Sequence, residues 1–176
     1  MLKGPIPPHI DPRKLADRAA TLEGELPVKQ FSRLCEQLVS DAGSVQAHLE
    51  FGRDPQGLIV MRGTLDVEVQ MVCQRCLEPA GIAVHGEFVY AVLREGASQD
   101  NLPKGYDALE VGEEPVDLHE LIEDELLLAL PIIPAHDPDA CQHPAGFAAA
   151  PEPSVNEVSR SNPFDVLAQL KRDPNV

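Results

Sequence analysis

The chain alternates apolar and polar side chains at residues 65–71, whose sequence is LDVEVQM. Neighbouring side chains of a β-strand point to opposite faces, so this pattern predicts a strand with one buried and one solvated face. The two-residue period continues on both sides, with a turn signal at Pro55 and Gly57. The sequence therefore predicts an antiparallel meander sheet of four to five strands over residues 44–93, with a bulge expected at Gly86.

Helices are predicted before and after this sheet. Asp11, followed by a proline, is typical of a helix start, and helices are expected over residues 12–40. Asp117 and Glu120 have the spacing of a capping box, which predicts a helix over residues 117–130. Together these elements predict the α+β class, an antiparallel sheet with helices packed on it.

Composition changes along the chain and predicts its domain organisation. Residues 96–115 are expected to form a loop within a single domain that covers residues 1–143. Residues 144–161 have too many Ala, Pro and polar residues to pack a core, so they are predicted to be a flexible linker. Residues 162–172 are predicted to form an amphipathic C-terminal helix, which either docks on a partner or packs on its own sheet. Its apolar face consists of Phe164, Leu167 and Leu170.

The chain is strongly acidic, with 29 Asp and Glu against 14 Lys and Arg among 176 residues and a formal charge of −15. Residues 101–141 contain one base, Lys104, and eleven acids. Proteins that bind phosphate backbones on their own need the opposite sign, because their cations displace counterions. The charge indicates a basic protein partner that contacts residues 110–125, unless the acidity serves solubility alone. The partner-binding residues predicted there are Glu113, Glu114 and Glu123.

The sequence contains no membrane or export signal. No apolar run approaches the roughly 20 residues that cross a bilayer, and the N-terminus lacks the apolar centre of a secretory signal. We therefore expect a cytoplasmic protein that does not contact a membrane. In that compartment the four cysteines should be reduced unless they bind metal or perform redox chemistry.

The sequence CQRC at residues 73–76 is the sharpest chemical signal. Two cysteines two residues apart in a turn can place both thiolates on one tetrahedral metal ion. The cysteine that could complete such a site is Cys141, with His136 or His143 as the fourth ligand. One structural zinc bound by Cys73, Cys76, Cys141 and His136 is the favoured interpretation. Inert thiols and a reversible disulfide remain open alternatives.

Other chemistries find no support in the sequence. It contains no phosphate-binding loop, no dinucleotide fingerprint and no nucleophile motif. The acidic run at residues 123–125 is interpreted as the solvated face of a helix, because carboxylates beside leucines rarely form a catalytic pair. We therefore predict that the protein is not an enzyme.

Four stretches give the chain a family resemblance. The stretches are the CQRC turn at 73–76, the helix VDLHELIEDELLLALP at 116–131, the segment from Ile132 to Cys141, and the tail NPFDVLAQLK at 162–171. In these stretches the chain resembles the YceD family, the large ribosomal RNA subunit accumulation proteins of bacteria and plastids. The resemblance implies a role in the synthesis, processing or stability of large-subunit (23S) ribosomal RNA, as an accessory factor.

The favoured function combines this resemblance with the charge. We expect a non-enzymatic ribosome-biogenesis factor that acts on ribosomal RNA indirectly, through a basic large-subunit ribosomal protein or assembly factor. The alternative is a zinc-dependent or thiol-redox regulatory protein that uses Cys73 and Cys76.

Overall fold

A computed structural model describes residues 2–3, 5–99 and 102–141 of the chain. The chain divides into the units Met1–Gln142 and His143–Val176, and the described residues belong to the first. The predicted linker at 144–161 and the predicted helix at 162–172, with Phe164, Leu167 and Leu170, lie outside the described residues, as does His143.

The elements are β1 (Leu2–Lys3), β2 (His9–Ile10), α1 (Pro12–Asp17), β3 (Thr21–Pro27), α2 (Ser32–Cys35), β4 (Ser44–Arg53), β5 (Ile59–Val72), β6 (Pro79–Arg94), β7 (Asp107–Val111), β8 (Val116–Asp117) and α3 (Leu118–Ala129).

The main sheet has the strand order β1-β3-β4-β5-β6-β7, and β2 pairs with β8 in a separate small sheet. The α+β prediction is confirmed, but the sheet is mixed rather than purely antiparallel. The predicted four to five strands over residues 44–93 are three, and the other three strands of the six-stranded sheet come from outside that range. The pairs β3–β4, β4–β5 and β5–β6 are antiparallel, whereas the outer pairs β1–β3 and β6–β7 are parallel. The long connection between β6 and β7 lets the chain return before it pairs, as a parallel neighbour requires.

The hairpin of β5 and β6 forms the centre of the sheet. Its register runs without interruption from Val60 opposite Ala91 to Val72 opposite Pro79. The bulge expected at Gly86 is therefore wrong, because this glycine pairs in register with its partner on β5. A glycine is needed at position 63, because an added Cβ would overlap the Phe88 ring.

The prediction of helices over residues 12–40 is wrong for much of that range. The chain forms β3 there, and this strand pairs with β4 over seven consecutive positions from Thr21 opposite Glu50 to Pro27 opposite Ser44. Leu22 and Leu26 are buried on one face of β3. Gly24 and Pro27 were interpreted as a break between two helices, whereas pairing with β4 makes this segment a strand.

The loop expected over residues 96–115 also contains a strand. β7 pairs with residues 90–94 of β6 in a parallel arrangement, so part of this acidic segment extends the sheet. The sequence of β7 is only five residues long and alternates poorly, which is why periodicity missed it.

α3 covers the apolar face of the sheet. The Asp117 side chain accepts a hydrogen bond of 3.0 Å from the Glu120 N–H, so the predicted capping interaction forms. The buried side chains of α3 include Leu118, Ile122 and Leu126, which pack in the same core as the inward residues of β4, β5 and β6. The helix ends just before Pro131, and the chain then returns towards the tip of the central hairpin. None of the helices in the described part of the chain has the length and apolarity to cross a membrane.

Candidate metal centre

The turn between β5 and β6, residues 73–78, is called the knuckle below. The Cys73 N–H donates to the Glu78 carbonyl at 2.9 Å, and the Leu77 N–H donates to the Cys73 carbonyl at 2.9 Å. These bonds close the turn so tightly that Leu77 adopts a left-handed backbone with φ of 65°. Cys73 and Cys76 belong to this turn, and both are buried.

The segment after α3 brings two further side chains to the knuckle. The Gln74 N–H donates to the Pro134 carbonyl at 2.9 Å, and the Arg75 guanidinium donates to the His136 carbonyl. Next, the Asp137 carbonyl accepts hydrogen bonds from the backbone of Ala140 and Cys141, and this turn directs Cys141 back towards the hairpin. One backbone and one side-chain hydrogen bond therefore join segments about 60 residues apart.

The four side chains predicted to bind zinc lie together. Their ligand atoms all fall within 4.8 Å of one another. The Sγ atoms of Cys73 and Cys141 are 3.9 Å apart, and Sγ of Cys76 is 3.4 Å from Nδ1 of His136. On one tetrahedral zinc, two sulfurs lie about 3.8 Å apart, and a sulfur and an imidazole nitrogen about 3.5 Å. The cluster therefore has the composition and the spacing to hold a metal ion.

The His136 ring is oriented by its second nitrogen. Its Nε2 lies 3.0 Å from the Pro79 carbonyl oxygen, which can only accept, so Nε2 carries the proton. In the neutral ring this leaves the lone pair on Nδ1, the nitrogen that faces the thiols. Metal-binding histidines in proteins are held in the same way by an outer hydrogen bond. The Pro79 carbonyl is a functional group that sequence reasoning missed, because a backbone acceptor leaves no signal in the sequence.

The electrostatics of the cluster favour one thiolate before any metal is bound. Hydrogen bonds from backbone N–H groups, that of Cys76 above all, lower the pKa of the Cys73 thiol to about 5. Burial, followed by the neighbouring sulfurs, raises the pKa of Cys141 to about 11. Cys73 therefore loses its proton more readily than Cys141, and a cation placed between them would favour the loss of the second proton.

The fourth cysteine takes no part in the cluster. Cys35 lies in α2 with its thiol 3.4 Å from the Val28 carbonyl, and burial raises its pKa. All four cysteines are free thiols. Cys35 is therefore a natural control in experiments on the other three.

Comparison with known proteins places the chain in a family. A family model described as "Large ribosomal RNA subunit accumulation protein YceD" matches residues 61–171. The chain belongs to the YceD family. A relative from Haemophilus influenzae, named "Large ribosomal RNA subunit accumulation protein YceD", is 37% identical over 176 residues, which cover 98% of this chain and 99% of the relative. No solved structure matches the chain. The family match includes all four ligand residues of the cluster.

Glu123 does not belong to an exposed acidic surface. It is 7% exposed, and its carboxylate accepts hydrogen bonds from the Arg33 N–H at 2.7 Å and the Leu34 N–H at 3.1 Å. The Arg33 guanidinium completes the arrangement at 2.9 Å. The prediction that Glu123 binds a partner is wrong, because the carboxylate already caps the first turn of α2 from inside the protein.

The rest of the acidic run at residues 123–125 is also engaged. Asp124 accepts a hydrogen bond of 2.7 Å from the Arg33 guanidinium, and Glu125 accepts one from the Tyr90 hydroxyl. Burial raises the pKa of Glu125. The interpretation of this run as a solvated helix face therefore needs correction, since all three carboxylates make contacts with other elements.

Glu113 and Glu114 are exposed, as a partner-binding role requires. They lie in the turn between β7 and β8. Nearby exposed carboxylates belong to Glu110, Asp117 and Glu120, and this set of five is called the acidic surface below. The structure thus supplies an exposed acidic region, but it consists of strand ends and the first turn of α3 rather than of the whole helix.

Proposed function

We propose that this chain supports the accumulation of large-subunit (23S) ribosomal RNA in the cytoplasm, as a non-enzymatic accessory factor. The observation that carries the proposal is the 37% identity, over nearly the full length of both chains, with a relative named for large ribosomal RNA subunit accumulation. The family match over residues 61–171 supports it independently.

The proposal includes one structural zinc held by Cys73, Cys76, His136 and Cys141. Three thiolates and one imidazole fill a tetrahedral shell, so no position is left open for a substrate or an attacking water. The ion would join the knuckle to the segment after α3, two parts of the chain far apart in sequence. Binding free energy in such a site is folding free energy, so the role of the metal is to hold this end of the protein in shape.

The proposal also includes a basic protein partner, either a large-subunit ribosomal protein or an assembly factor. The acidic surface would attract such a partner at long range and repel a phosphate backbone. Any association with ribosomal RNA would then pass through the partner. Glu113 and Glu114 are the best positioned to take part, because both are exposed and lie in a turn.

Sucrose-gradient profiles of a strain that lacks the gene test the proposed function. We expect fewer large subunits and less 23S ribosomal RNA than in the parent strain, with recovery when the natural chain is supplied. A strain carrying Glu113→Gln and Glu114→Gln should recover only in part, whereas one carrying His48→Gln on the distant wet face of the sheet should recover fully. A normal profile in the deletion strain would contradict the function. Full recovery with the glutamine variant would contradict only the partner surface.

A second candidate function is thiol-redox regulation, and the lowered pKa of Cys73 favours it, because the thiolate is the reactive form. Peroxide would oxidise the Cys73 thiolate to a sulfenic acid, and attack by a neighbouring thiol would then release water and form a disulfide. In that case a dose of peroxide that lowers large subunits in the parent strain should also produce a disulfide of Cys73 in the chain isolated from it, detected by mass spectrometry of alkylated peptides. Loss of large subunits with Cys73 still reduced would exclude this candidate.

A further inference from the structure

Among the described residues, the large apolar side chains that remain exposed gather at one end of the sheet. Val72 is the last residue of β5, and Leu77 lies in the knuckle that follows. Ile132 and Ile133 directly precede Pro134, whose carbonyl accepts a hydrogen bond from the Gln74 N–H of the knuckle. Leu128 lies in the last turn of α3. With Val39, whose N–H donates to the Gln70 carbonyl of β5, these six residues are called the apical patch.

The exposure in the apical patch is large. Ile132 is 98% exposed, Leu128 79% and Ile133 71%. A groove of about 530 Å³ lies beside Ile132, and its apolar lining includes Val72, Leu130 and Ile132. Exposed apolar side chains gathered at one end of a protein mark sites of protein interaction, whereas single exposed leucines need no explanation.

The conformation of Leu77 singles out this end of the protein. Its left-handed backbone is one that glycine adopts freely and that costs a leucine conformational energy. The side chain gains nothing from the core in return, since it is 70% exposed. A large apolar side chain held outward on a strained backbone is expected where it contributes to a surface function.

The positive and negative side chains around the apical patch differ in whether they have a partner. The cations are occupied, because Arg33 pairs with Glu123 and Asp124, and Arg75 donates to a backbone carbonyl. The carboxylates at this end pair with no cation in the described residues. They are Glu36, which lines the groove, Glu78, Asp137 and Asp139, all exposed. A segment that covers the patch would therefore meet apolar surface at its centre and unpaired negative charge at its border.

We propose that the apical patch binds an apolar segment of a partner protein whose flanks carry lysine or arginine. Burial of the exposed Leu and Ile side chains would supply most of the affinity, and the bordering carboxylates would select for basic flanks. The inference goes beyond the proposed function, since it names a second surface and the chemistry that it recognises. It also links the metal cluster to this surface, because the knuckle and the segment after α3, which the cluster joins, carry three of the six residues of the apical patch.

The test uses the full chain with its metal and a fluorescein-labelled helical peptide made of leucine and lysine. Two matched probes replace either the leucines by serine or the lysines by glutamate. Fluorescence anisotropy should show binding of the leucine–lysine peptide at least about tenfold tighter than that of either control. The double variant Leu128→Ser and Ile132→Ser should lose about tenfold, with an unchanged melting temperature, because both side chains are exposed. Ala83→Ser, exposed on the wet face of the sheet, should change nothing.

Several outcomes would overturn the proposal. Equal binding of the serine–lysine peptide would show that net charge alone attracts it, and equal binding by the double variant would place the site elsewhere. A chain that is dimeric and becomes monomeric with Ile132→Ser would make a second copy the occupant. Tighter peptide binding after Phe164→Ser, Leu167→Ser and Leu170→Ser would make the chain's own segment the occupant. Ribosome profiles are a separate measurement, so failure here leaves the proposed function intact.

Discussion

Two of the long-range contacts made by α3 and the segment after it, called attachments below, differ in where the positive charge comes from. At Glu123, the protein itself supplies the cation and the N–H donors, through Arg33 and the first turn of α2. At the Cys₃His cluster, the thiol and imidazole groups can donate electron pairs to a cation, but the four residues include no Lys or Arg. The first attachment is complete within the chain, whereas the second, under the proposal of a structural zinc, would become complete only with an ion.

The largest effect is expected from breaking the metal cluster. Cys73→Ser removes one ligand and the most acidic thiol, so the knuckle and the segment after α3 lose their common centre. We expect the melting temperature to fall by more than about 10 °C, because metal binding contributes directly to folding. Calorimetry of the variant and of Cys35→Ser makes the comparison, and the control should retain nearly all of its stability. Equal melting temperatures for the two variants would refute a structural metal.

The second effect concerns the attachment at Glu123. Glu123→Gln keeps the shape but removes the charge that faces Arg33 and two backbone N–H groups. We expect a loss of about 2–3 kcal/mol in the free energy of unfolding, since a buried polar arrangement loses one partner. Asp124→Asn is the matched control on the same arginine. Because Asp124 is half exposed, its substitution should cost less than about 1 kcal/mol in urea unfolding.

The sequence predicted one of these attachments and missed the other for a physical reason. Cysteines and histidines are few, so CQRC followed by Cys141 suggested a common site even across about 60 residues. Carboxylates are abundant, and nothing in the sequence distinguishes Glu123 from its neighbours or links it to Arg33, which is 90 residues away. The sequence favoured His136, but it could not show that the Pro79 carbonyl orients the ring of this histidine.

The same distinction applies to the fold. Residues 65–71 and α3 were predicted because their periods and caps are local properties. β3 was missed because its seven-residue pairing with β4 is a tertiary interaction, while its Gly24 and Pro27 read as breaks between helices. The parallel pairing of β7 likewise depends on β6, not on its own five residues.

A smaller effect of the opposite sign is expected in the knuckle. Leu77→Gly relieves the left-handed backbone and should stabilise the chain by about 1 kcal/mol, because its side chain contributes little to the core. The metal content should not change, since no ligand is touched. Urea unfolding with metal analysis measures both, and a clear loss of stability would mean that Leu77 packs in the folded protein.

The smallest effect is expected at an exposed pair outside both attachments. Asp66, with a further contribution from Glu87, raises the pKa of His85 above its ordinary value. The folded protein therefore favours the protonated ring, so the contribution to stability is complete below the unfolded-state pKa of about 6.5 and is lost as the pH rises through the folded-state pKa. NMR titration should place this pKa above 6.5 in the natural chain and lower in Asp66→Asn. Identical titration curves would rule out the contribution of Asp66.

The metal content of the purified chain tests the central claim most directly. Protein prepared under reducing conditions without chelator should contain about one equivalent of zinc after dialysis, as a closed Cys₃His site retains its ion. Cys141→Ser should lose the metal, and Cys35→Ser should keep it. Absence of zinc from the natural chain, or its retention by Cys141→Ser at the level of Cys35→Ser, would contradict the account.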